Sequence, residues 1–306
     1  MTEITHIPVL LEPSIELLEI KPGDIVVDGT YGGGGHSGAM IDAYKESITL
    51  ICTDLDEAAQ TRFDARFGKR SDLTANVHFV HANFKDAEQI MASAGVSTVN
   101  KVLLDLGTST FQLLADERGF SFQSDTPLAM TFSKAGSHTG FTAFDIVNEW
   151  REESIADIVY NYGEEPKSRI IAKAIVEARK IAPILTSRQL AEVIESVVPQ
   201  RNRPFGQGKR IHPATKTFQA LRIAVNDELA VITEALENWW KHLSPGGRIA
   251  VITFHSLEDR VVKRWMADKT PHKRVITKKV ITPSDEALQE NKRARSAKLR
   301  VVEKEQ

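Results

Sequence analysis

Apolar residues come in short dense runs through the first third of the chain, each followed by a longer amphipathic stretch. Ile25-Val26-Val27, Ile48-Thr49-Leu50-Ile51-Cys52 and Val102-Leu103-Leu104 are continuous runs, and residues 77–81 alternate around Val77 and Val80. Such runs predict strands buried in a sheet covered on both faces. Helices are expected between them at 37–44, with Ser37 as N-cap, at 57–67, stopped by Gly68, and at 86–94, closed by Gly95. This alternation predicts a parallel sheet with helices on both sides. The rhythm breaks after Gly107. Residues 155–162, 166–180 and 187–197 read as helices, with no convincing central strand as far as residue 211. The sheet pattern returns with a long helix over 216–242, a turn at Ser244-Pro245-Gly246-Gly247 and a buried strand at 248–254. Residues 275–282 and 297–302 predict an antiparallel edge pair, and the polar stretch 282–292 a mobile loop. The expected organisation is an α/β domain made of residues 1–108 and 212–306, interrupted by a helical insertion at 109–211.

Composition narrows the setting. A hydrophobic content of 42% in 306 residues is enough for a sizeable core. The lone Cys52 lies in an apolar run and can form neither an internal disulfide nor a metal cluster, so no metal is expected. No signal-peptide pattern or membrane-length apolar run occurs, which makes a cytoplasmic protein the expectation. The formal net charge of −2 hides local bias. No acid lies between Glu195 and Asp227, while Arg201, Arg203, Lys209, Arg210, Lys216 and Arg222 do; from Asp259 onward Lys and Arg outnumber Asp and Glu two to one. Either stretch suits phosphates, and either suits a solvated face.

Chemistry gathers at the strand ends, where open α/β sheets bind ligands. The first strand runs into Asp28-Gly29-Thr30-Tyr31-Gly32-Gly33-Gly34-Gly35-His36-Ser37. Glycine lets the backbone approach a ligand closely. A carboxylate at Asp28 would repel the pyrophosphate of a dinucleotide, and no Gly-Lys-Ser/Thr closes the loop as a phosphate-binding loop would. The acid suits a cationic ligand such as S-adenosyl-L-methionine. Asp54 ends the second strand, where a carboxylate can accept ribose hydroxyls. Asn83-Phe84 follow the third, placed for adenine. Asp105 ends the fourth, beside a reaction centre. The plain alternatives are a helix cap for Asp54, a core aromatic for Phe84 and a turn residue for Asp105. Two other functions share these features: a nicotinamide-dependent oxidoreductase, which Asp28 opposes, and an inactive RNA-binding assembly factor, which an intact cradle opposes.

Longer motifs are more specific. The glycine loop, Leu104-Asp105-Leu106-Gly107, Glu117-Arg118-Gly119-Phe120-Ser121-Phe122, Tyr162-Gly163-Glu164-Glu165, His212-Pro213-Ala214-Thr215-Lys216-Thr217-Phe218-Gln219 and Phe254-His255-Ser256-Leu257-Glu258-Asp259-Arg260 closely resemble the bacterial 16S rRNA cytidine N4-methyltransferase family, ribosomal RNA small subunit methyltransferase H. The resemblance implies a class I methyltransferase (Rossmann-like) sheet with an inserted helical domain. It implies S-adenosyl-L-methionine as donor, and as acceptor a cytidine in the P-site region of 16S rRNA within the small ribosomal subunit. Monomer and homodimer are both compatible with it. It carries cofactor contacts onto Gly34, Gly35, His36, Asp54, Phe84, Asp105 and Gln112, with Asp28, Gly32 and Asn83 close by. Asp105 is the candidate catalytic acceptor. Phe120, Phe122, His212, Lys216 and His255 form the candidate substrate set; packing is the plain reading for the two phenylalanines, and helix fixing for His255. Thr110-Phe111, Ala129, Thr131 and Lys292 depart from the family pattern, which touches target-base binding and leaves the cradle intact.

Overall fold

A computed structural model describes residues 8–70, 76–107, 118–132, 140–198, 212–268 and 272–305, without the side chain of Arg293. The chain divides into two compact units, Met1–Ser109 with Leu229–Gln306, and Thr110–Glu228.

The first unit is a seven-stranded sheet. Its strands are β1 (Ile25–Asp28), β2 (Thr49–Asp54), β3 (Val77–His81), β4 (Val99–Asp105), β5 (Leu243–Thr253), β6 (Lys273–Val275) and β7 (Lys298–Lys304), in the order β3-β2-β1-β4-β5-β7-β6. The first five pair in parallel, and β7 runs antiparallel to both β5 and β6. The expected class I methyltransferase sheet is present, with its antiparallel edge pair. Alternate residues build opposite core layers. Val26, Leu50, Cys52, Leu103 and Ile252 face one layer, with Leu18, Met40 and Phe63 from α1 (Leu11–Leu18), α2 (Gly35–Tyr44) and α3 (Glu57–Phe67). Val27, Ile51, Val102, Leu104 and Val251 face the other, with Ile90 of α4 (Ala87–Ser93). Strand order reverses between β1 and β4, so the tips of these two strands flank the switch point.

The second unit is helical: α5 (Ala143–Glu149), α6 (Glu152–Gly163), α7 (Ser168–Ile181), α8 (Ser187–Val197) and α9 (Thr215–Asn226) enclose one apolar core. The long helix expected over 216–242 is two helices, α9 and α10 (Glu228–His242). Asp227 breaks it in a left-handed conformation with φ 47°. Asn226 holds the break from within the second unit. Its side-chain amide donates to Met130 O at 2.8 Å, and its Oδ1 accepts Phe132 N–H at 2.9 Å. Accordingly α9 belongs to the helical unit, and the chain returns to the sheet unit at Leu229 rather than at residue 212.

Other expectations are corrected. The turn Ser244-Pro245-Gly246-Gly247 lies inside β5 as an irregularity, where pairing skips between Val99 and Lys101 of β4. The stretch expected as a mobile loop contains α12 (Asp285–Glu290), capped by Ser284 Oγ, which accepts the Ala287 N–H. No described helix is long and apolar enough to cross a membrane.

Candidate active site

Asp28 ends β1 almost completely buried. Its Oδ2 accepts the Ser37 hydroxyl at 2.6 Å and its Oδ1 the Thr30 N–H at 3.2 Å. Burial pushes its pKa up to about 6, against the pull of those two hydrogen bonds and with further help from Asp54. Ser37 is therefore not the N-cap that the sequence suggested. The helix begins two residues earlier, after Gly34 in a left-handed conformation with φ 70°, and Ser37 sits in the first turn as a buried partner of Asp28.

The glycine loop is held from both sides. Gly32, with φ 52°, donates its N–H to Asp54 Oδ2 at 2.7 Å, and its carbonyl accepts Arg62 Nε of α3 at 2.7 Å. A Cβ at Gly34 would strike the ring and hydroxyl of Tyr31, and one at Gly35 would lie 2.8 Å from Pro8. Tyr31 cannot yield, being buried and edge-on to both Phe63 and Phe79. Gly34→Ala therefore meets a left-handed backbone penalty of about 1–2 kcal/mol plus the clash. We expect its affinity for S-adenosyl-L-methionine in calorimetry to fall at least about tenfold, equivalent to 1.4 kcal/mol. Wild-type affinity would show that the loop is not the cradle.

Asp54 uses both carboxylate oxygens on backbone: Oδ2 on Gly32, and Oδ1 on Asp56 N–H at 2.8 Å. Burial raises its pKa despite these bonds. It is not the helix cap; Asp56 caps α3 through the Ala58 N–H. Each oxygen keeps a second lone pair, enough for two ligand hydroxyls. Asn83 Oδ1 accepts the Lys85 N–H at 3.2 Å in the turn after β3. Phe84 is anchored by Trp239, whose indole N–H donates to its carbonyl at 2.7 Å, and its ring packs on the core beside α10.

Asp105 stands at the tip of β4, next to this loop. Its N–H donates to Thr30 Oγ1 at 2.6 Å, which ties the β4 tip to the chain leaving β1. Its Oδ2 lies 3.8 Å from His36 Nδ1. His36 Nε2 is 3.1 Å from the Val9 carbonyl, which only accepts, so that nitrogen carries the hydrogen and Nδ1 faces the carboxyl group. Asp105 Oδ1 is buried and has no hydrogen-bond partner among the described residues. Burial, with the negative charges of Asp28 and Glu258, drives the Asp105 pKa well above the usual carboxylate range. Three carboxyl groups thus cluster at the ends of β1, β2 and β4, two of them strained by burial and mutual repulsion. A cation at this rim relieves both terms. An acidic cradle, a close-approach glycine loop and a buried carboxylate oxygen without a partner among the described residues suit the sulfonium and amino groups of S-adenosyl-L-methionine.

The candidate substrate residues are largely occupied. Phe120 is buried in the helical core, stacked on Phe132 at 5.7 Å. Phe122 stacks on His212 at 4.1 Å and meets Phe218 edge-on. His212 Nδ1 accepts the Ala214 N–H, and its Nε2 lies 2.6 Å from Glu195 Oε1. Lys216 Nζ donates to the Glu164 carbonyl at 2.8 Å. All four make contacts within the helical unit, and those of the two phenylalanines are packing contacts. His255 caps α11 (Ser256–Ala267): its Nδ1 accepts the Glu258 N–H, while Glu258 Oε2 accepts the N–H groups of Phe254 and His255. It fixes the helix itself, rather than through Ser256. Gln112 and Phe111 lie outside the described residues. Thr30 and Ser37 lie inside the loop motif, Ser37 read there only as a helix cap and Thr30 given no role, and nothing in the sequence marks Arg62.

The sequence matches the MraW methylase family over residues 3–305. Two similar proteins are named ribosomal RNA small subunit methyltransferase H. That of Brevibacillus brevis (strain 47) is 43% identical over 316 residues, covering 98% of either chain. That of Paenibacillus sp. (strain JDR-2) is 43% identical over 322 residues, covering 98% of this chain and 99% of that protein. Among solved structures, an rRNA methylase from Streptococcus thermophilus superposes with a TM-score of 0.45 at 12% identity, over 99% of this chain and 100% of that one.

Proposed function

Because the chain belongs to the MraW methylase family, we propose that it methylates the exocyclic N4 amine of a cytidine in the P-site region of 16S rRNA, on the small ribosomal subunit, with S-adenosyl-L-methionine as donor. The observation that carries this reading is Asp105: a buried carboxyl group with one unpartnered oxygen, beside an acidic cradle.

When bound, S-adenosyl-L-methionine supplies a methyl group already activated by a positively charged sulfur. The residues of the chain supply position and charge. Asp28, Asp54 and Asp105 place negative charge around the donor site, and Gly34 and Gly35 allow close approach. The cytosine amine is a poor nucleophile because its lone pair is delocalised into the ring. Asp105 Oδ1 accepts a hydrogen bond from it, which favours a pyramidal nitrogen and draws off positive charge as the N–C bond forms and the C–S bond breaks. The proton leaves the nitrogen for Asp105 and passes from there to solvent. Thr30 fixes the carboxylate for in-line approach by holding the Asp105 backbone. The base must leave its stack to reach a site of this kind.

A nicotinamide enzyme would need an anion-tolerant cradle, and Asp28 denies one. An inactive RNA-binding factor would gain nothing from three charged groups held in a partly desolvated site. The test is transfer of labelled methyl to small subunits, naked 16S rRNA and a DNA control, followed by nucleoside analysis. N4-methylcytidine from the subunit sample is expected. Label in another nucleoside, or none, refutes the assignment.

A further inference from the structure

A cleft of about 160 Å³ opens beside the carboxyl end of β5, lined in part by Phe254, His255, Ser256, Thr282, Arg295 and Lys298. Its walls are tied into the sheet unit by backbone hydrogen bonds. Ser256 begins the twelve-residue helix α11. Thr282 follows Ile281, which exchanges backbone hydrogen bonds with Leu299 of β7 at 2.8 and 3.2 Å. Ala294 and Ala297 are buried on either side of the exposed Arg295.

The charge around the cleft is positive. Asp259 is bonded by two cations, Lys298 at 3.1 Å and Arg300 at 2.6 Å, so one carboxylate answers two positive groups. Of these two only Lys298 lines the cleft; Arg295 is the second cation on its wall, with the hydroxyls of Ser256 and Thr282 on the same face. Two cations and two hydroxyls on one concave face suit an anion; the helix start adds nothing, because His255 and Glu258 already cap it. At about 30 Å³ per water, the space takes one phosphodiester group and a few waters.

Position indicates which anion. The Phe254 ring lies against Gly107, where an added Cβ would come within 3.2 Å of it, and Gly107 is two residues beyond Asp105. Phe254 therefore links the wall of the cleft to the chain just beyond Asp105. S-adenosyl-L-methionine carries no phosphate, so a phosphate site here has no use for the donor. A polynucleotide acceptor has phosphates on each side of any base delivered to Asp105.

We propose that this cleft binds a backbone phosphate of the acceptor RNA close to the methylated nucleotide, with Arg295 as its principal contact. The assignment rests on the rRNA methyltransferase reading above. Arg295 is exposed, so Arg295→Ala and Arg295→Glu test it without disturbing the core. Three quantities are measured on the full chain: affinity for S-adenosyl-L-methionine by calorimetry, affinity for a 16S rRNA fragment between 50 and 200 mM salt, and KM for small subunits. Donor affinity stays at the wild-type value. RNA affinity falls three- to tenfold for Arg295→Ala and further for Arg295→Glu, and KM rises in step. The slope of log affinity against log salt becomes shallower by about 0.7–0.9, the value of one phosphate contact. Wild-type RNA affinity and slope in Arg295→Glu would overturn the proposal while leaving methyl transfer by the parent intact. Weakened donor binding with an unchanged salt slope would also overturn it, by assigning the cleft to the donor's carboxylate. A parent protein that transfers no methyl to rRNA would refute the function instead.

Discussion

Asp105→Ala is expected to lose methyl transfer by about 10²–10⁴-fold, the range general acid–base groups contribute, while the protein stays folded. Among the described residues, Asp105 has a buried carboxylate oxygen without a hydrogen-bond partner at this rim, and its elevated pKa makes it a better proton acceptor once a positive ligand lies alongside. A purely structural role predicts the opposite balance. Burying a carboxyl group near two other acids costs stability, so replacing it should preserve or raise the unfolding temperature. Asp105→Asn sharpens the comparison, because it keeps the shape and removes the charge. Turnover is measured on small subunits at saturating donor, and folding by thermal melts at pH 8. Parent-like turnover in either variant removes Asp105 from the mechanism. A collapse of the melting temperature would make it a structural residue.

The second large effect is expected at Asp28, and its sign is fixed by the direction of the shift. The carboxyl group titrates near 3.8 when unfolded and near 6 in the fold, raised chiefly by burial. Below 3.8 it is protonated in both states and burial costs nothing extra. As pH rises towards 6 the unfolded chain releases the proton while the fold retains it, so stability falls; above 6 the loss is complete. At 1.36 kcal/mol per unit, the loss is about 3 kcal/mol. Asp28→Asn, which can still accept the Ser37 hydroxyl, should therefore gain on the parent by about 3 kcal/mol between pH 3 and pH 7 in urea unfolding. A flat difference across that range would show that Asp28 titrates normally. The same charge favours a cationic donor, so parent affinity for S-adenosyl-L-methionine should weaken as pH falls below 6 and Asp28 takes up its proton. The neutral-sulfur product, S-adenosylhomocysteine, should show less of this dependence. In Asp28→Asn the contrast between the two ligands should shrink. Equal pH dependence for both ligands in the parent would place the sulfonium away from Asp28.

Some of this was legible in residue order. Four of the parallel strands were legible as dense apolar runs, which have few uses other than a sheet covered on both faces, and β3, only partly buried, showed in its alternation. Their acidic ends were found because ligand sites in open sheets lie beyond the carboxyl edge. Helix α3 was read to its bounds, since Asp56 and Gly68 punctuate it locally. Other features had no local signature. Helix α1 went unread, with left-handed residues at Leu10 and Glu19 on its two sides where no glycine marks an end. The break at Asp227 depends on Asn226 reaching Met130 and Phe132, almost a hundred residues earlier. In the candidate substrate set, Phe122 stacks on His212 ninety residues on and Lys216 bonds the Glu164 carbonyl, contacts that no local pattern announces.

The sequence by itself determined the sheet, the glycine loop and the acids at the strand tips, because burial period, backbone freedom and charge are properties of neighbouring residues. Only the fold sets Ser37 against one oxygen of Asp28, brings backbone N–H groups of Gly32 and Asp56 to Asp54, and leaves Asp105 an oxygen with no partner among the described residues. The physical reason is that the reactivity of a carboxylate follows from which of its lone pairs the folded chain satisfies, and those partners arrive from other strands.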